Sequence, residues 1–299
     1  MPDRTVSVKT QHFSQSVTPV PDLPLSQPLL SQKSGDTPFT LHTLQIPAPS
    51  QRLRHLTDKP YLPALGGTTP TLTELSTLLT SLSAANLRPT IRIMIRPRGP
   101  PAQTTSQPPQ DFLYTAAEIS AMESSITSFI SSGLLDPARG DGFVFGLLTD
   151  ERGSLELDAE GNTLLVELAR RAGFTCVLHR AVDEVFSSRE DVEGVMEGVR
   201  RCGFEGMLTS GGRGRAVENL ERLREAVEAG RREGVEVVVG GGVRRSNLGG
   251  LVEGLGAGDG LWFHSSCLGE DGSFDEEEAK GAGEELVRLG LEVTGLGRQ

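Results

Sequence analysis

The sequence predicts an α/β fold, specifically a TIM (β/α)8-type barrel, and three observations support this prediction. Short apolar runs of strand length recur along the chain, and each of them ends in polar or glycine-rich residues. Segments with the periodicity of amphipathic helices separate these runs. Strands that are apolar on both faces and alternate with such helices are typical of a parallel sheet covered by helices. The length of 299 residues suits one barrel, a fold that takes roughly 250 residues.

Six strands, each followed by a helix, can be assigned in order. A helix at about 71–86 precedes them and begins at a capping box, in which Thr71 pairs with Glu74 three residues later. Each later helix carries an apolar stripe on one face. The predicted strands are 90–97, 142–148, 174–179, 206–209, 235–239 and 261–264, and the helices that follow them are 117–132, 158–172, 188–201, 215–232, one from 245, and 275–289.

An open, doubly wound parallel sheet has the same alternation of strands and helices, and it is the alternative to a barrel. An open sheet concentrates its site at one switch point, whereas a barrel collects residues from many strand ends. Polar tips follow every consecutive strand in this chain. This pattern favours closure of the sheet.

The first part of the chain differs in composition from the rest. Residues 1–60 are rich in Ser, Thr, Gln and Pro, and almost no periodic apolar pattern runs through them. The sequence therefore predicts a largely disordered or irregular segment over 1–60 and the barrel over 61–299. One stretch, 39–47, alternates apolar and polar residues and is predicted to be a strand.

The composition excludes several classes of function. A formal net charge of -11 and a pI of about 5.0 argue against a surface that neutralises nucleic-acid phosphates. No apolar run approaches the ~20 residues that span a bilayer, and no secretory leader is recognisable, so we expect no membrane partner and a cytoplasmic location. The three cysteines follow no spacing typical of disulfides or of structural zinc.

Two arginines follow the first clear strand. Arg96 and Arg98 flank Pro97, which restricts the direction in which the chain leaves the strand. Guanidinium groups in this arrangement can hold a carboxylate or a phosphate through paired hydrogen bonds. The alternative is that both are surface arginines that pair with the acidic excess.

Ionisable residues also follow the apolar run at 174–179. His179 with Asp183 can form a general acid/base with an orienting charge, and Arg180 can form part of an anion clamp. His264, followed by Ser265, ends the last predicted strand in a similar way. The alternative is that these histidines are hydrogen-bonded structural groups.

Glycine-rich loops follow the last strands. Gly211, Gly241 and Gly242 lie in such loops, and Asn247 follows shortly after. In barrels, loops at this position often bind a phosphate through backbone N–H groups and a helix N-terminus. The alternative is that the glycines only form tight turns. A dinucleotide site is rejected, because Val217 stands where the third glycine of its motif is needed.

Soft or borderline metal ligands are present on two strands. Cys176, His179, His264 and Cys267 are compatible in type with copper or zinc. No spacing joins them, and Cys176 and His179 are three residues apart, so on an extended strand they point to opposite faces. The alternative is that the cysteines are buried small hydrophobic residues.

Seven motifs, with a GGTTP turn before them, occur in unbroken order between about residues 65 and 267. On these motifs the chain resembles the CutC copper homeostasis family. The resemblance implies a TIM barrel that is cytoplasmic, usually oligomeric, and associated with copper tolerance or copper binding. It also implies a polar pocket at the carboxyl ends of the strands, formed by Arg96, Arg98, His179, Asp183, Ser210 and His264. The motifs are GGTTP at 66–70, IMIRPRG at 93–99, DFLY at 111–114, DGFVFGLLT at 141–149, HRAVD at 179–183, LTSGG at 208–212, GGGV at 240–243 and FHSS at 263–266.

The chain departs from this family near its start. Members begin with a strand, a helix and a second strand that ends in Glu-Leu-Cys. Residues 39–47 can replace the first strand, but residues 48–64 are too few for the helix and the second strand. The first βα unit and the second strand are therefore predicted to be degenerate or missing, and the family cysteines invoked for copper are absent.

Two functions are predicted from these observations. The first is a copper homeostasis protein that binds copper as its cofactor, with Cys176 and Cys267 as candidate metal ligands. The second is an enzyme or binding protein for a small anionic ligand, phosphorylated or carbonyl, in which Arg96 and Arg98 anchor the anion and His179 transfers a proton. The sequence does not decide whether the chain catalyses a reaction. Further candidate ligand-binding residues are Thr149, Arg180, Ser210, Gly211, Gly241, Gly242, Asn247, His264 and Ser265.

Overall fold

The structure is a computed structural model that describes most of the chain from residue 68 onwards and two short segments before it. The predictions for most of residues 1–60 concern residues outside the described ranges. Among the helices within those ranges, none has the length and apolar character of a membrane-crossing helix. The described ranges are 7–10, 43–46, 68–84, 90–99, 111–151, 153–256, 258, 260–267 and 275–289.

Eight strands form one sheet, in which all neighbours are parallel. They are β1 (Ser7–Thr10), β2 (Thr43–Ile46), β3 (Thr90–Met94), β4 (Gly142–Phe145), β7 (Thr175–Leu178), β8 (Gly206–Thr209), β9 (Glu236–Val239) and β10 (Leu261–Ser265). Their order is β1-β10-β9-β8-β7-β4-β3-β2. The end strands β1 and β2 have Cα atoms within 8 Å of each other, so the sheet curls round on itself. The predicted barrel is confirmed.

Eight α-helices lie in the described ranges, and all seven predicted helices correspond to one of them within a few residues. The capping box of the first is present: the Glu74 N–H donates to Thr71 Oγ1 at 3.2 Å, and the Thr71 N–H donates to Glu74 Oε2 at 2.7 Å. The helices are α1 (Leu72–Ala84), α2 (Ala116–Ser132), α3 (Ala159–Arg171), α4 (Ala181–Ser188), α5 (Val192–Cys202), α6 (Leu220–Glu233), α7 (Arg245–Leu255) and α8 (Glu276–Arg288).

Between β4 and α5 the structure adds a hairpin and a helix that the sequence pattern did not predict. Beyond β4 the chain forms an antiparallel hairpin of β5 (Leu148–Glu151) and β6 (Ser154–Leu157), although one strand was predicted to continue to residue 148. The helix α4 precedes α5, where one helix over 188–201 was predicted. The Asp191 side chain accepts a hydrogen bond from the Gly194 N–H at 2.9 Å, so α5 has its own N-terminal cap.

The first two positions of the barrel are occupied by short strands. The strand predicted at 39–47 is β2, and it pairs with β3, so it lies in the second position of the barrel and not in the first. The first position is taken by β1, which pairs with β10. The second strand is therefore present in a short, degenerate form of four residues, and the stretch 39–47 supplies it instead of replacing the first strand.

Side chains on the strands separate into two sets, as the alternation of an extended chain requires. Outward-facing residues such as Ile93 and Phe143 pack in the large core between the sheet and the helices. Met94, Val144 and Val177 form a separate, inward-facing cluster. Residues two positions further along these strands therefore also face the inside of the barrel, closer to its C-terminal end.

A buried carboxylate connects the beginning of β3 to the turn before β4. Asp141 is fully buried, and its oxygens accept hydrogen bonds from the N–H groups of Ile91 at 2.8 Å and Asp136 at 2.9 Å. Both donors depend on one side chain for their acceptor. Backbone N–H groups that lose a buried acceptor are costly.

We predict that Asp141→Ala lowers the free energy of unfolding by about 2–4 kcal/mol, because two backbone donors lose their acceptor. Urea denaturation followed by circular dichroism measures this change. The control is Glu225→Ala on the exposed face of α6, for which a change of no more than about 0.5 kcal/mol is expected. Equal effects of the two substitutions would contradict the assigned role of Asp141.

Candidate functional site

The carboxyl ends of the parallel strands meet at one end of the barrel, and polar side chains collect there. Arg96, His179, Ser210 and His264 each follow an inward-facing strand residue by two positions, on the tips of β3, β7, β8 and β10. The structure therefore brings together four of the residues that the sequence predicted to share a site. We call this end of the barrel the mouth.

Arg96 is held in place on several sides. Its side chain is buried, and Nη2 donates a hydrogen bond to Asp111 Oδ2 at 2.6 Å. The Arg96 backbone N–H donates to Thr69 Oγ1 at 2.8 Å, which ties the end of β3 to the turn before α1. Its Cζ atom lies 5.1 Å from the ring centroid of Phe112. Arg96 is thus a fixed cation with an aromatic ring against it.

Phe112 lies between Arg96 and His179 in an uncommon backbone conformation. Its φ is +68°, in the left-handed region that residues other than glycine rarely adopt. Its ring meets the His179 ring edge to face, with 4.7 Å between the centroids. The Phe112 carbonyl accepts a hydrogen bond from the Leu148 N–H at 3.0 Å, which anchors the loop to the hairpin. Such strain concentrates at functional sites.

His179 is a buried, neutral imidazole. Its Nδ1 accepts a hydrogen bond from the Ala181 N–H at 3.2 Å, so the ring proton is on Nε2. Burial lowers the pKa of His179 from 6.5 to about 3, and the positive charges of Arg96 and Arg180 act in the same direction. The ring is therefore a hydrogen-bond donor near neutral pH. This geometry does not suit the predicted transfer of a proton by His179.

Asp183 has a different partner set from the one predicted. Its carboxylate accepts hydrogen bonds from Thr209 Oγ1 at 2.6 Å, from the Ser210 N–H at 2.9 Å and from Ser210 Oγ at 2.8 Å. Arg180 Nε donates to it at 2.6 Å. The prediction that Asp183 orients His179 is corrected, because its oxygens are used by these donors and Nδ1 of His179 is used by a backbone N–H.

Arg180 presents a cation at the surface of the mouth. Besides its contact with Asp183, its Nη2 donates to Ser210 Oγ at 2.8 Å. The side chain of Arg180 is 43% exposed, whereas that of Asp183 is 4% exposed. Gly241, at φ +89°, lies beside this group, and a Cβ there would be 2.7 Å from the Ser210 Cβ. The absence of a side chain at Gly241 keeps this approach open.

Arg98 has a structural role in this arrangement. Its Nε donates to Glu118 Oε1 and its Nη2 to the Leu113 carbonyl, both at 2.6 Å. Glu118 is also part of the capping box of α2, with Thr115 as the N-cap residue. Arg98 thus fastens the tip of β3 to the first turn of α2, and the prediction that it anchors an anion together with Arg96 is not supported by these contacts.

Of the remaining predicted residues, one lies in the β5–β6 hairpin and two stabilise the turn before α7. Thr149 lies in the hairpin opposite Glu156. Asn247 caps α7, since its Oδ1 accepts from the Arg244 N–H at 2.9 Å and its Nδ2 donates to the Gly242 carbonyl at 2.8 Å. Ser265 Oγ donates to the Val243 carbonyl at 2.8 Å and fixes the same turn.

The glycine-rich loops are shaped as turns at the mouth. Gly211 has φ +80° and Gly242 has φ +76°, both in the left-handed region. The Gly211 N–H donates to Thr209 Oγ1 at 2.8 Å, so this turn is stabilised by the strand that precedes it. The alternative interpretation of the sequence, that the glycines form tight turns, is therefore satisfied, and these turns position Arg180 and Ser210.

Cys176 and Cys267, the candidate metal ligands, do not share a site. Cys176 is on β7 and packs in the helix-facing core, whereas Cys267 follows β10 with Sγ 3.5 Å from Ser265 Oγ. Two strands lie between β7 and β10, so three spacings of about 4.8 Å separate them along the sheet. Burial raises the pKa of Cys176 to about 12 and raises that of Cys267 as well. In the described part of the chain, no group of three or more His, Cys, Asp or Glu side chains could hold a metal ion.

Two residues of the site were not among the sequence candidates. Asp111 pairs with Arg96, and the ring of Phe112 contacts both Arg96 and His179. Both belong to the DFLY motif at 111–114, one of the motifs on which the resemblance to the CutC family rests. The signal available in the sequence is an acidic and an aromatic residue between a predicted strand and the helix that follows it.

Together the fold and the mouth define a parallel α/β barrel with a polar site at the carboxyl ends of its strands. A model of the CutC family matches residues 58–266. The chain belongs to the CutC family.

Proteins similar to this chain support the same assignment. The mouse and human proteins named copper homeostasis protein cutC homolog are each 32% identical over 202 residues, which is 68% of this chain and 62% of theirs. A CutC family protein of Xanthomonas campestris pv. campestris (strain 8004) is 31% identical over 205 residues, 68% of this chain and 71% of that protein. The chain thus spans less than two thirds of the length of the mouse and human relatives.

Solved structures resemble this chain in fold alone. The octameric ribulose-1,5-bisphosphate carboxylase/oxygenase from Pyrococcus horikoshii OT3 has a TM-score of 0.51 at 11% identity, over 98% of this chain and 61% of that chain. A Rubisco-like protein from Rhodopseudomonas palustris has a TM-score of 0.50 at 10% identity, over 96% and 65% of the two chains.

We predict that His179 makes the protein less stable in mild acid. Above pH 6.5 the ring is neutral in both the folded and the unfolded chain, so it adds no pH dependence. Below pH 6.5 the unfolded chain binds a proton that the folded chain does not bind until about pH 3. Between pH 7 and pH 5 this difference lowers the free energy of unfolding by about 2 kcal/mol.

Urea denaturation at both pH values tests this prediction, with His179→Asn as the control that cannot titrate. The variant should lose less stability on acidification than the wild type by that amount. Equal losses in the two proteins would show that the imidazole is not held neutral.

Proposed function

We propose that this chain binds a small anionic metabolite, phosphorylated or carbonyl, at the mouth of the barrel. The observation that carries the proposal is the ion pair of Arg180 with Asp183, whose negative end is buried and whose positive end is 43% exposed. A ligand that enters the mouth therefore meets the cation first. We infer no reaction from this geometry, because His179 is placed as a donor and not as a base.

The fixed orientation of the Arg180 guanidinium favours recognition of an oxyanion. Its Nε and Nη2 atoms are used by Asp183 and Ser210, so the group loses little freedom when an anion binds. Arg96 is buried and close enough to His179 for its charge to act on the ring, so it adds positive charge to the mouth. This arrangement matches a carboxylate or phosphate better than a neutral molecule.

We expect Arg180→Gln to weaken the binding of inorganic phosphate by tenfold or more, since a charged hydrogen bond contributes about 1.5–3 kcal/mol. Isothermal titration calorimetry measures this effect. The matched control is Arg171→Gln, which removes the same charge from a side chain that is 80% exposed at the C-terminal end of α3. Phosphate affinity that survives Arg180→Gln, or that falls equally in the control, would count against the proposal.

A second candidate function is copper binding in copper homeostasis, and membership of the CutC family favours it. Copper(I) prefers thiolate ligands. The buried thiols of Cys176 and Cys267 resist deprotonation and lie on separate strands, so these two cysteines do not form a copper site. We infer that copper, as a cargo of this protein, is bound by other residues. Cytoplasmic location and assembly into a homo-oligomer are part of the same proposal.

We predict that the purified protein takes up Cu(I) under reducing conditions and that Cys176→Ala/Cys267→Ala takes up the same amount. Competition with a chromogenic Cu(I) chelator measures the uptake, and Cys202→Ala serves as a control for loss of a buried thiol. Absence of uptake by the wild type would remove the copper candidate. Loss of uptake in the double variant alone would show that the two cysteines are ligands after all.

A further inference from the structure

His179 carries a buried hydrogen-bond donor that no described residue accepts. Because Nδ1 already accepts the Ala181 N–H, the ring proton lies on Nε2. The residue is 3% exposed, and Nε2 has no hydrogen-bond partner among the described residues. Most buried donors in folded proteins are satisfied, and one that is not calls for a bound acceptor.

The surroundings of this donor favour a negatively charged acceptor. Arg96 and Arg180 are both close enough for their charges to act on the His179 ring. Asp111 and Asp183 hold these two guanidinium groups in place, at 2.6 Å each. A neutral acceptor would gain little from two fixed cations, whereas an anionic oxygen gains from both.

We propose that the Nε2–H group of His179, flanked by Arg96 and Arg180, binds a carboxylate or enolate oxygen of the ligand. The inference rests on the proposed function, because it assigns one end of the anionic ligand to this donor. A phosphate group suits the position less well, since it brings three oxygens to a buried place where His179 supplies a single N–H. A planar carboxylate needs fewer donors.

The neutral ring sets the kind of chemistry that this contact can support. An imidazole that stays neutral can stabilise negative charge on an oxygen through its N–H without giving up the proton. Its other nitrogen cannot accept a proton while the Ala181 N–H occupies it. His179 therefore acts as a stabiliser of an oxyanion and not as a base.

Phe112 is the positioning residue for this donor. Its ring lies edge to face against the His179 ring and also against the Arg96 guanidinium, so it holds the two groups in register. Nε2 is shielded from solvent in this arrangement, and we expect the Phe112 ring to turn aside when the ligand oxygen enters.

Two variants of His179 separate its two nitrogens. In His179→Asn the side-chain oxygen can replace Nδ1 as acceptor for the Ala181 N–H, but the donor at the Nε2 position is lost. In His179→Gln the amide nitrogen can reach the Nε2 position, but the Nδ1 acceptor is lost. A purely structural role predicts that the Asn variant is the milder one, whereas an oxyanion-binding role predicts that the Gln variant binds better.

The probe is oxalate, a planar dicarboxylate, and the comparison ligand is inorganic phosphate. We expect oxalate to bind the wild type, to shift the His179 Nε2–H resonance downfield in 15N-resolved NMR, and to bind His179→Asn about tenfold more weakly or worse. His179→Gln should recover part of this loss. Phosphate affinity, which reports the proposed function through Arg180, should change less than threefold in both variants.

Oxalate that leaves the Nε2–H resonance unchanged, or that binds His179→Asn as well as the wild type, would overturn the inference even if phosphate binds through Arg180. Oxalate that fails to bind the wild type would overturn it too. An Nδ1–H tautomer or a charged ring between pH 5 and pH 8 in the free protein would do the same. Normal oxalate binding by Arg180→Gln would contradict the part that Arg180 plays in the inference, whereas loss of phosphate binding in that variant is the result that the proposed function expects.

Discussion

The strict alternation of side chains along parallel strands is the constraint on which the rest of this structure depends. Each strand directs one set of residues to the helices and the other to the inside of the barrel. The outer set is apolar and forms the main core, and Ile93 and Phe143 are fully buried members of it. The inner set ends in polar residues at the mouth. Residues as far apart in sequence as Arg96 and His264 thereby reach the same end of the barrel.

Burial of polar groups at the mouth is possible because carboxylates compensate for it. Asp183 alone accepts hydrogen bonds from Thr209, Ser210 and Arg180, and so joins the first turn of α4 to the end of β8. Asp111 does the same for Arg96. Removal of one such acid would leave buried donors without acceptors, which is more costly than the hydrogen bonds themselves are favourable. The acids of this site are therefore best understood as groups that position cations.

Much of the fold could be predicted from the sequence, because apolar runs with polar ends and amphipathic stripes are local signals. The strand at 206–209 and the α6 stripe are examples, and both are present with small shifts. The β5–β6 hairpin escaped prediction because Leu147 and Leu148 continue the apolar run beyond Phe145. The pattern of apolar residues does not mark the point where a strand of the sheet ends and a hairpin begins.

The meeting of the strand tips at one end of the barrel was predictable, but the contacts that their side chains make there were not. The rule that parallel strands share one carboxyl end brought Arg96, His179 and Ser210 together. The partners of Asp183 lie 26 and 27 residues further along the chain, and no local pattern connects them. For the same reason the sequence did not reveal that Arg98 binds Glu118 in the first turn of α2. Roles of this kind depend on tertiary contacts, which spacing does not encode.

One physical effect, burial, acts on the imidazole and the thiols of the described residues in a way that bears on ligand choice. It keeps His179 uncharged, and it keeps Cys176 and Cys267 protonated, since the charged form of each group is disfavoured away from water. Thiols in that state are poor ligands for Cu(I), which takes thiolates. The guanidinium groups of Arg96 and Arg180 lie near the His179 ring, and each is held by a carboxylate. A site with two guanidinium groups and a neutral N–H donor, in a protein whose buried thiols stay protonated, is suited to an anion that offers oxygen atoms. Function is therefore better argued from the mouth than from the cysteines.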